Sequence, residues 1–307
     1  MIKVATIGEC MLELSTMGTA PFDGETKFGF GGDTLNVAVY LIRAITEKKA
    51  LVSYVTALGD DPFSEALLDA WRKEGLSTDL VQRIEGRLPG MYLIRTDPTG
   101  ERSFFYWREQ AAARLMLDAG RTEDLGAALA GYDLVYLSGI TLAILWDSAK
   151  QALLDLIHYL SEQGVHIAFD SNHRPHLWPS EEEARIAYES LAPYVTIALP
   201  TFADEAAMFD DKTPQQTARR WRQWGVGEVA VKNDKEACFL STTEGEWQIP
   251  ALAVDYVVDT TAAGDSFNGT YLANRMEGRS AHHSIERAHA VAASVIAQRG
   301  AIVQTSN

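Results

Sequence analysis

Residues 257–271 read VVDTTAAGDSFNGTY, and this stretch gives the strongest structural signal in the chain. A β-rich approach is followed by a run of small residues, and Asp265 then opens an apolar helix. Small side chains let a ligand approach the backbone closely, and the first amides of a helix are unpaired donors at the positive end of its dipole. The pattern predicts a place where an anion binds, although a plain helix N-cap at Asp265 also fits it.

A carboxylate beside an anion site is repelled unless it has a task there, and Asp265 is such a carboxylate. Phosphoryl transfer to an alcohol requires an acceptor for the hydroxyl proton and fixed donors for the charge on the phosphoryl oxygens. Both requirements would be met at this one helix end. The chain contains no Gly-Lys pair, so the GxxxxGK[ST] loop is absent and any phosphate binding uses another design.

A second glycine-rich segment lies near the start of the chain, where residues 28–40 read FGFGGDTLNVAVY. A tight turn leads here into a helix that carries Asp33 and Asn36 in its first turn. Alone, the segment is typical of any glycine turn before a capped helix. Paired with the late segment, it becomes much stronger evidence for a binding site.

Elsewhere, short apolar runs alternate with amphipathic helical patterns. The runs are apolar on nearly every residue, as strands covered on both faces must be. The predicted strands span residues 4–7, 51–58, 134–137, 166–169, 195–198 and 229–231. The predicted helices span residues 34–45, 62–74, 147–163, 181–191 and 214–224. This alternation predicts an α/β protein with right-handed crossover units and a mainly parallel sheet flanked by helices.

Two stretches, residues 21–30 and 91–106, do not follow this alternation. The second reads as strand, turn and strand, with its turn at Pro98, Thr99 and Gly100. Together they predict a small antiparallel sheet that stands off the main one. Near the end of the chain we predict a further hairpin and two helices, at residues 237–240, 247–249, 264–276 and 281–298.

The composition disfavours several classes of protein. The chain has 307 residues, with Lys+Arg 27 against Asp+Glu 42 and a net charge of -15. This charge repels nucleic acids and anionic membrane surfaces, so neither is expected as a partner. No run approaches the roughly 18 apolar residues of a membrane span, and no secretory signal is visible, so we expect a cytoplasmic protein. The two cysteines form no CxxC pair, which disfavours a disulfide scaffold or a cysteine zinc site.

The segments GFGGDTLNVAVY (29–40) and DTTAAGDSFNGTY (259–271) resemble the two signatures of the PfkB (ribokinase-like) family of carbohydrate kinases. Five further stretches resemble its 2-keto-3-deoxygluconate kinase branch: IGECMLEL, TDPTGERSFFYWREQAAAR, FDSNHRPHLW, LPTFADEAAMF and VIAQRGAI. The resemblance covers nearly the whole chain. It implies one ribokinase-like domain over residues 1–307, with a Rossmann-like α/β fold and a small β lid from about 15–31 and 88–110. The late segment departs from the family signature at Thr270, where Ala or Gly is usual.

The resemblance also implies a reaction, the ATP-dependent, Mg²⁺-requiring phosphorylation of 2-keto-3-deoxygluconate on its terminal 6-hydroxyl. Asp265 is then the catalytic base, and the backbone amides of Ala262, Ala263, Gly264 and Asp265 form the anion hole. The sugar is expected between the lid and the main domain, at the carboxyl ends of the strands, where open α/β sheets place ligands.

A sugar acid offers a carboxylate that an arginine can bind bidentately, so Arg108 and Arg174 are the leading candidates for that contact. Without the resemblance, these arginines would be read as ordinary surface residues. Hydroxyl contacts are expected from the glycine-rich segment, and Glu13 stands where relatives often carry an acidic sugar contact. The predicted sugar contacts are Glu13, Gly32, Asp33, Asn36, Tyr92, Tyr106, Arg108, Arg174 and Asp265.

The nucleotide contacts follow from the resemblance only by region, and they are Lys232, Gly264, His289, Gly300 and Ala301. Many relatives use an Asn-x-x-Glu motif to organise magnesium and phosphate. Here Glu205 supplies the acid but Phe202 replaces the Asn, which leaves a contact with magnesium through water. Asp259 either supports a monovalent cation such as K⁺ or braces its loop.

Two alternative functions remain open at this point, and the sequence also makes a prediction about assembly. The same fold and base would serve a kinase for a neutral sugar such as fructose, or for a nucleoside. A non-catalytic sugar or nucleotide sensor is the alternative of another class, but a sensor has no need of Asp265. An exposed strand edge on the lid predicts a homo-oligomer.

Overall fold

Fourteen strands and ten α-helices make up a computed structural model that describes residues 1–16, 26–96, 102–117 and 121–304. The strands are β1 (Ile2–Ile7), β2 (Met11–Thr16), β3 (Thr26–Gly31), β4 (Ala50–Val55), β5 (Ala57–Leu58), β6 (Gln82–Arg83), β7 (Gly90–Thr96), β8 (Arg102–Trp107), β9 (Leu134–Ser138), β10 (His166–Asp170), β11 (Ile197–Ala198), β12 (Glu228–Val231), β13 (Cys238–Ser241) and β14 (Glu246–Ile249). The helices are α1 (Asp33–Ala44), α2 (Pro62–Lys73), α3 (Arg121–Leu129), α4 (Gly139–Ile144), α5 (Asp147–Glu162), α6 (Glu181–Leu191), α7 (Phe202–Phe209), α8 (Pro214–Gln223), α9 (Ala263–Met276) and α10 (Ala281–Ile296). Among the helices in the described ranges, none combines the length and the hydrophobicity of a membrane-spanning segment.

The main sheet has eight strands in the order β14-β13-β12-β11-β10-β9-β1-β4. The six strands from β12 to β4 run parallel, and the hairpin β13–β14 adds an antiparallel edge. The predicted mainly parallel sheet is therefore confirmed. The predicted strand 51–58 divides in two, because the chain leaves the main sheet after Val55 and β5 pairs with β6 instead.

Helices cover both faces of this sheet, so the buried residues of its strands are mainly apolar. In β9, Leu134 and Tyr136 join the core under α1, α2, α9 and α10, whereas Val135 and Leu137 join the core under α5, α6 and α8. The alternation of side chains across a strand thus serves two separate cores. The helices α3, α4 and α7 were not predicted from the sequence.

The small sheet has the order β3-β2-β7-β8, and we keep the name lid for these four strands. The pair β7–β8 is the predicted antiparallel hairpin. The pair β2–β3 is also antiparallel, although β2 was not predicted as a strand, and the parallel pair β2–β7 joins the two pairs. The lid begins at Met11, earlier in the chain than the predicted boundary near residue 15. The turn predicted at Pro98, Thr99 and Gly100 lies outside the described residues, as do residues 21–25 of the other predicted lid stretch.

Helices α1 and α9 pack against each other along their lengths. Gly269 permits this contact, because a Cβ at that position would lie 2.6 Å from the carbonyl oxygen of Val37 and 2.9 Å from the amide nitrogen of Leu41. Both helices begin at the same end of the contact. Their N-terminal turns, which carry the two glycine-containing segments of the sequence, are therefore brought together.

Candidate active site

Helix α9 begins with an unusual backbone conformation. Its N-cap, Ala262, has φ 59° and ψ 16°, in the left-handed region that a non-glycine residue enters at a cost of about 1 to 3 kcal/mol. The amide of Ala263 donates to Thr260, whereas the amides of Gly264 and Asp265 have no acceptor within the described ranges. The amides of Gly264 and Asp265 are thus donors open to a ligand at a helix N-terminus, which is the arrangement that binds phosphate groups.

Asp265 lies in the first turn of α9, and its carboxylate accepts a 2.8 Å hydrogen bond from Nδ2 of Asn36. Burial raises the pKa of Asp265 to about 7, the charge of Asp33 adds to this, and the bond from Asn36 opposes it. A carboxyl group with a pKa near neutrality can both take up and release a proton at working pH. This suits the predicted role as a general base.

The first turn of α1 faces Asp265 across the contact between the helices. Gly32, the N-cap, is required there because a Cβ would lie 2.2 Å from the carbonyl oxygen of Glu9. Asp33 accepts a 2.9 Å hydrogen bond from the side chain of Asn172. In Asn36, Oδ1 is buried and has no partner in the part of the chain that the structure describes, so it is an acceptor available to a ligand hydroxyl.

A cleft of about 80 Å³ lies between the lid and the main sheet. Its lining is Glu9, Met11, Gly32, Asp33, Tyr106, Arg108, Ile140, Arg174, His176 and Leu177. Five predicted sugar contacts therefore meet at one cleft, although they come from α1, β8 and the loops after β8 and β10. Their role in binding sugar stays a prediction.

Arg108 is buried and forms an ion pair with Glu9, a residue that was not predicted. Burial raises the pKa of Glu9, and the guanidinium of Arg108 acts in the opposite direction. Among the described residues, neither Oε1 of Glu9 nor Nε of Arg108 has a hydrogen-bond partner. The sequence carried one signal of this pair, because Glu9 interrupts an apolar run directly after β1.

Arg174 is the more open of the two arginines, with 45% of its side chain exposed. Its Nη1 donates to the carbonyl oxygen of His173 and lies 3.8 Å from Oδ2 of Asp204. Tyr106 stacks on His176 with 6.0 Å between the ring centroids, which closes the cleft on the lid side.

Two predicted sugar contacts, Tyr92 and Glu13, are on neighbouring lid strands but do not line the cleft. The hydroxyl of Tyr92 donates to the carboxylate of Glu13. This bond holds the two side chains together on the lid face that carries Tyr106, since residues paired directly across strands share a face. Contact with a sugar stays a prediction for both.

Lys232 is engaged inside the protein. Its ammonium donates to Asp170 at 2.6 Å and to Oδ1 of Asn268 at 3.0 Å, and Asn268 in turn donates to Asp170 at 2.7 Å. Neither Asp170 nor Asn268 was predicted, although an aspartate that ends an apolar strand is a recognisable signal. A Cβ on Gly264 would lie 3.8 Å from the ammonium, so Lys232 sits beside the start of α9.

The other predicted nucleotide residues lie near the end of the chain. Gly300, with φ 101°, donates its amide to Oδ2 of Asp259, and Oδ1 of Asp259 accepts two bonds from Thr261. These bonds match the predicted bracing of the loop by Asp259. The carbonyl oxygen of Ala301 accepts from the hydroxyl of Tyr40 at 2.8 Å.

His289, the remaining predicted nucleotide contact, packs on Phe267 of α9 with 5.3 Å between ring centroids. Burial lowers the pKa of His289, and a hydrogen bond with the backbone of Pro250 acts in the opposite direction. Its contact with a nucleotide stays a prediction.

Glu205 is fully buried, and its Oε2 accepts from Arg220 at 2.6 Å and from the indole of Trp221 at 3.2 Å. Burial raises the pKa of Glu205 and the charge of Arg220 opposes this. Oε1 has no hydrogen-bond partner within the described residues. No cluster of three or more metal-ligating side chains occurs in the described ranges, and the predicted contact of Glu205 with magnesium stays a prediction.

Residues 1–307 match the pfkB family of carbohydrate kinases. The chain belongs to this family. It is 44% identical over 304 residues to the 2-dehydro-3-deoxygluconokinase of Escherichia coli strain K12, covering 98% of this chain and 97% of that enzyme. The resemblance predicted from the two glycine-containing segments is thus confirmed.

Solved structures show the same fold. The PfkB protein from Polaromonas sp. JS666 superposes with a TM-score of 0.85 at 24% identity, covering 96% of each chain. A protein of Escherichia coli solved in complex with ATP and Mg²⁺ superposes with a TM-score of 0.82 at 21% identity, covering 98% of this chain and 94% of that one.

The pKa of Asp265 should respond in opposite directions to its two neighbours on α1. Asp33→Asn removes a nearby negative charge and should lower the pKa, whereas Asn36→Ala removes a donor to the ionised form and should raise it. The measurement is a ¹³C NMR titration of aspartate carboxyl carbons in the ligand-free protein, with the signal assigned through Asp265→Asn. Midpoints that stay the same in both variants would contradict the arrangement described.

Proposed function

We propose that the protein phosphorylates 2-keto-3-deoxygluconate, also named 2-dehydro-3-deoxygluconate, on its terminal 6-hydroxyl with ATP as the donor. The observation that carries this proposal is the cleft in which Arg108 and Arg174 lie together with Gly32 and Asp33 at the start of α1. Identity of 44% to an enzyme named for this reaction supports the same substrate. A kinase for fructose or a nucleoside would have no use for two arginines at its acceptor site.

Asp265 takes the proton from the attacking hydroxyl in this proposal. The carboxylate is held by Asn36 at 2.8 Å, so its orientation is fixed before substrate arrives. Its raised pKa makes the proton transfer favourable near neutral pH, because a base works best when its pKa is close to that pH. A positioned base of this kind contributes about 10² to 10⁴-fold to turnover.

Phosphate groups fit the start of α9. The free amides of Gly264 and Asp265 would hold the transferring phosphoryl group, and the left-handed Ala262 turns the chain so that they are exposed. Such fixed donors stabilise charge without reorganising at the moment of reaction. The related protein solved with ATP and Mg²⁺ supports the same donor here.

Magnesium would arrive with the nucleotide, since this cation usually keeps several waters and binds through substrate phosphates. It would neutralise charge on those phosphates, and Glu205 is the carboxylate proposed to reach it through water. A monovalent cation such as K⁺ near Asp259 is a further part of the proposal. There the carboxylate already accepts bonds from Thr261 and Gly300, which supports a bracing role more directly.

A panel of acceptors tests this proposal. With Mg²⁺-ATP, ADP release should be fast with 2-keto-3-deoxygluconate or its galacto epimer and slow with fructose, ribose, adenosine or no acceptor. Asp265→Asn should lower turnover by about 10² to 10⁴-fold while the sugar acid still binds, which calorimetry would show. Turnover with a neutral sugar alone would overturn the substrate, and silence across the panel would favour a sensor.

The carboxylate contact can be tested separately at Arg108. Arg108→Ala alone leaves Glu9 buried without its partner, which destabilises a protein by about 3 to 5 kcal/mol. The double variant Glu9→Gln/Arg108→Ala removes both charges and is the variant to assay. It should raise KM for the sugar acid by about 10 to 100-fold, the worth of a charged hydrogen bond.

The matched control is the carboxamide of the same sugar, which lacks the negative charge. Its KM should change far less in the double variant than that of the acid. Equal changes for acid and amide would show that Arg108 does not bind the carboxylate.

We further propose that the protein is a homo-oligomer assembled through the lid. The strand register places eight apolar side chains on one lid face, opposite the face of Glu13 and Tyr106. They are Leu12, Leu14, Phe28, Phe30, Met91, Leu93, Phe105 and Trp107. Leu12 and Phe30 pack against the main core, whereas Phe28, Phe105 and Trp107 are 66%, 46% and 55% exposed. Large exposed apolar side chains grouped on one face indicate a surface that a partner covers.

A charge on this face should break the assembly. Light scattering coupled to size exclusion should give an oligomer for the wild type and a smaller species for Trp107→Asp, because burying an unpaired carboxylate is costly. Ile186→Asp, at an exposed position of α6, is the matched control and should leave the mass unchanged. A monomeric wild type would overturn the proposal.

A further inference from the structure

A second and larger cavity, of about 340 Å³, lies between α1, α9 and α10. Its lining is Tyr40, Arg43, Ala44, Thr46, Thr270, Asn274, Glu277, Arg279, His283, Arg287 and Val291. The cavity lies beside the later turns of α1 and α9 and against α10, whereas Asp33 and Asp265 occupy the first turns of α1 and α9. The volume is within the range of about 300 to 1,000 Å³ that small-molecule sites have.

The cavity is rich in cations on a chain whose net charge is -15. Arg43 is held by Glu74 and by the carbonyl oxygen of Val303, and Arg279 is paired with Glu47. Arg287, an exposed residue of α10, forms no ion pair or hydrogen bond with any residue that the structure describes. One guanidinium is thus left without a counter-ion at the cavity wall.

The acidic residues around the cavity form no ion pair with Arg287 in the part of the chain that the structure describes. Glu277, the acid in the lining, accepts hydrogen bonds from the amides of Thr46 and Glu47. Glu286, on the exposed side of α10, lies 3.6 Å from the ring of His283. Each of these carboxylates therefore has another partner.

Thr270 is a second and independent indication of a ligand. Its side-chain oxygen is buried, the residue is 2% exposed, and the hydroxyl has no partner within residues 1–16, 26–96, 102–117 and 121–304. A buried hydroxyl without a partner costs free energy, which a bound acceptor would recover. Thr270 is also the position at which the late segment departs from the signature that it resembles.

We propose that this cavity binds a small, multiply charged oxyanion, a carboxylate or a phosphate, at a site separate from the cleft. Arg287 supplies the charged contact, and Thr270 donates from its hydroxyl to an oxygen of the ligand. Asn274, one turn further along α9, donates its amide to the carbonyl oxygen of Thr270 and so keeps this part of the wall in place.

Calorimetric titrations with citrate and, separately, with inorganic phosphate test the site at constant ionic strength. The wild type should bind at least one of them saturably, and Arg287→Ala and Thr270→Val should each weaken that binding by about tenfold or more. Arg219→Ala is the matched control, because it removes an exposed arginine from α8, and it should bind as the wild type does.

These variants separate the site from other effects. Phosphate held at the start of α9 would bind equally to all of them, so only the component lost in Arg287→Ala belongs to the cavity. Thr270→Val should unfold in urea at or above the wild-type midpoint, since it removes an unpartnered hydroxyl, and a loss of binding then does not reflect misfolding. The tighter of the two anions identifies the ligand class.

Superimposable titrations of the wild type and Arg287→Ala would overturn the proposal, as would the absence of saturable binding. The measurement needs no turnover, so its failure is distinct from a failure of the proposed kinase activity.

Discussion

The close contact between α1 and α9 is the constraint on which the site depends. Gly269 permits it, since any side chain there would meet the backbone of α1. The contact aligns two helices whose first turns then share one place, and it brings Asn36 to Asp265 although 229 positions separate them in the chain. The positive N-terminal ends of α1 and α9 lie close together and favour the binding of a phosphate there. They also offset part of the repulsion between the carboxylates of Asp33 and Asp265, which lie in the same two turns.

The charges of the side chains around the first turns of α1 and α9 are not balanced. The charges of Asp33 and Asp170 raise the pKa of Asp265, and Lys232 is the cation that opposes them. Buried acids in this arrangement lower the stability of the folded state, and such sites persist where chemistry requires them. The buried ion pair of Glu9 and Arg108 at the cleft does not add stability either, because a well-packed apolar pair in its place would make the folded protein at least as stable.

Much of the fold could be predicted because it depends on periodic patterns. Apolar strands and amphipathic helices gave the parallel sheet and its flanking layers, while α4, with six residues, is too short to show a helical period. Five sugar contacts that the family resemblance implied meet at the cleft, but no periodic pattern indicated them. The partners of Arg108 and Lys232 could not be predicted, since Glu9 and Asp170 lie 99 and 62 positions away and pair only through the order of strands in the sheet.

The parallel pairing of β2 with β7 has a consequence for how the molecule folds. Each hairpin of the lid is local, but the hydrogen bond from Tyr92 to Glu13 spans 79 positions, and all of β4 and α2 lie between them. Contacts of such long range form slowly, because the entropy of closing the loop must be lost before they are made. The lid is therefore assembled late, after the neighbouring part of the main sheet has brought its two halves together. Until then, the nascent chain presents two separate apolar ribbons to its surroundings, which makes this stage of folding the one most exposed to aggregation.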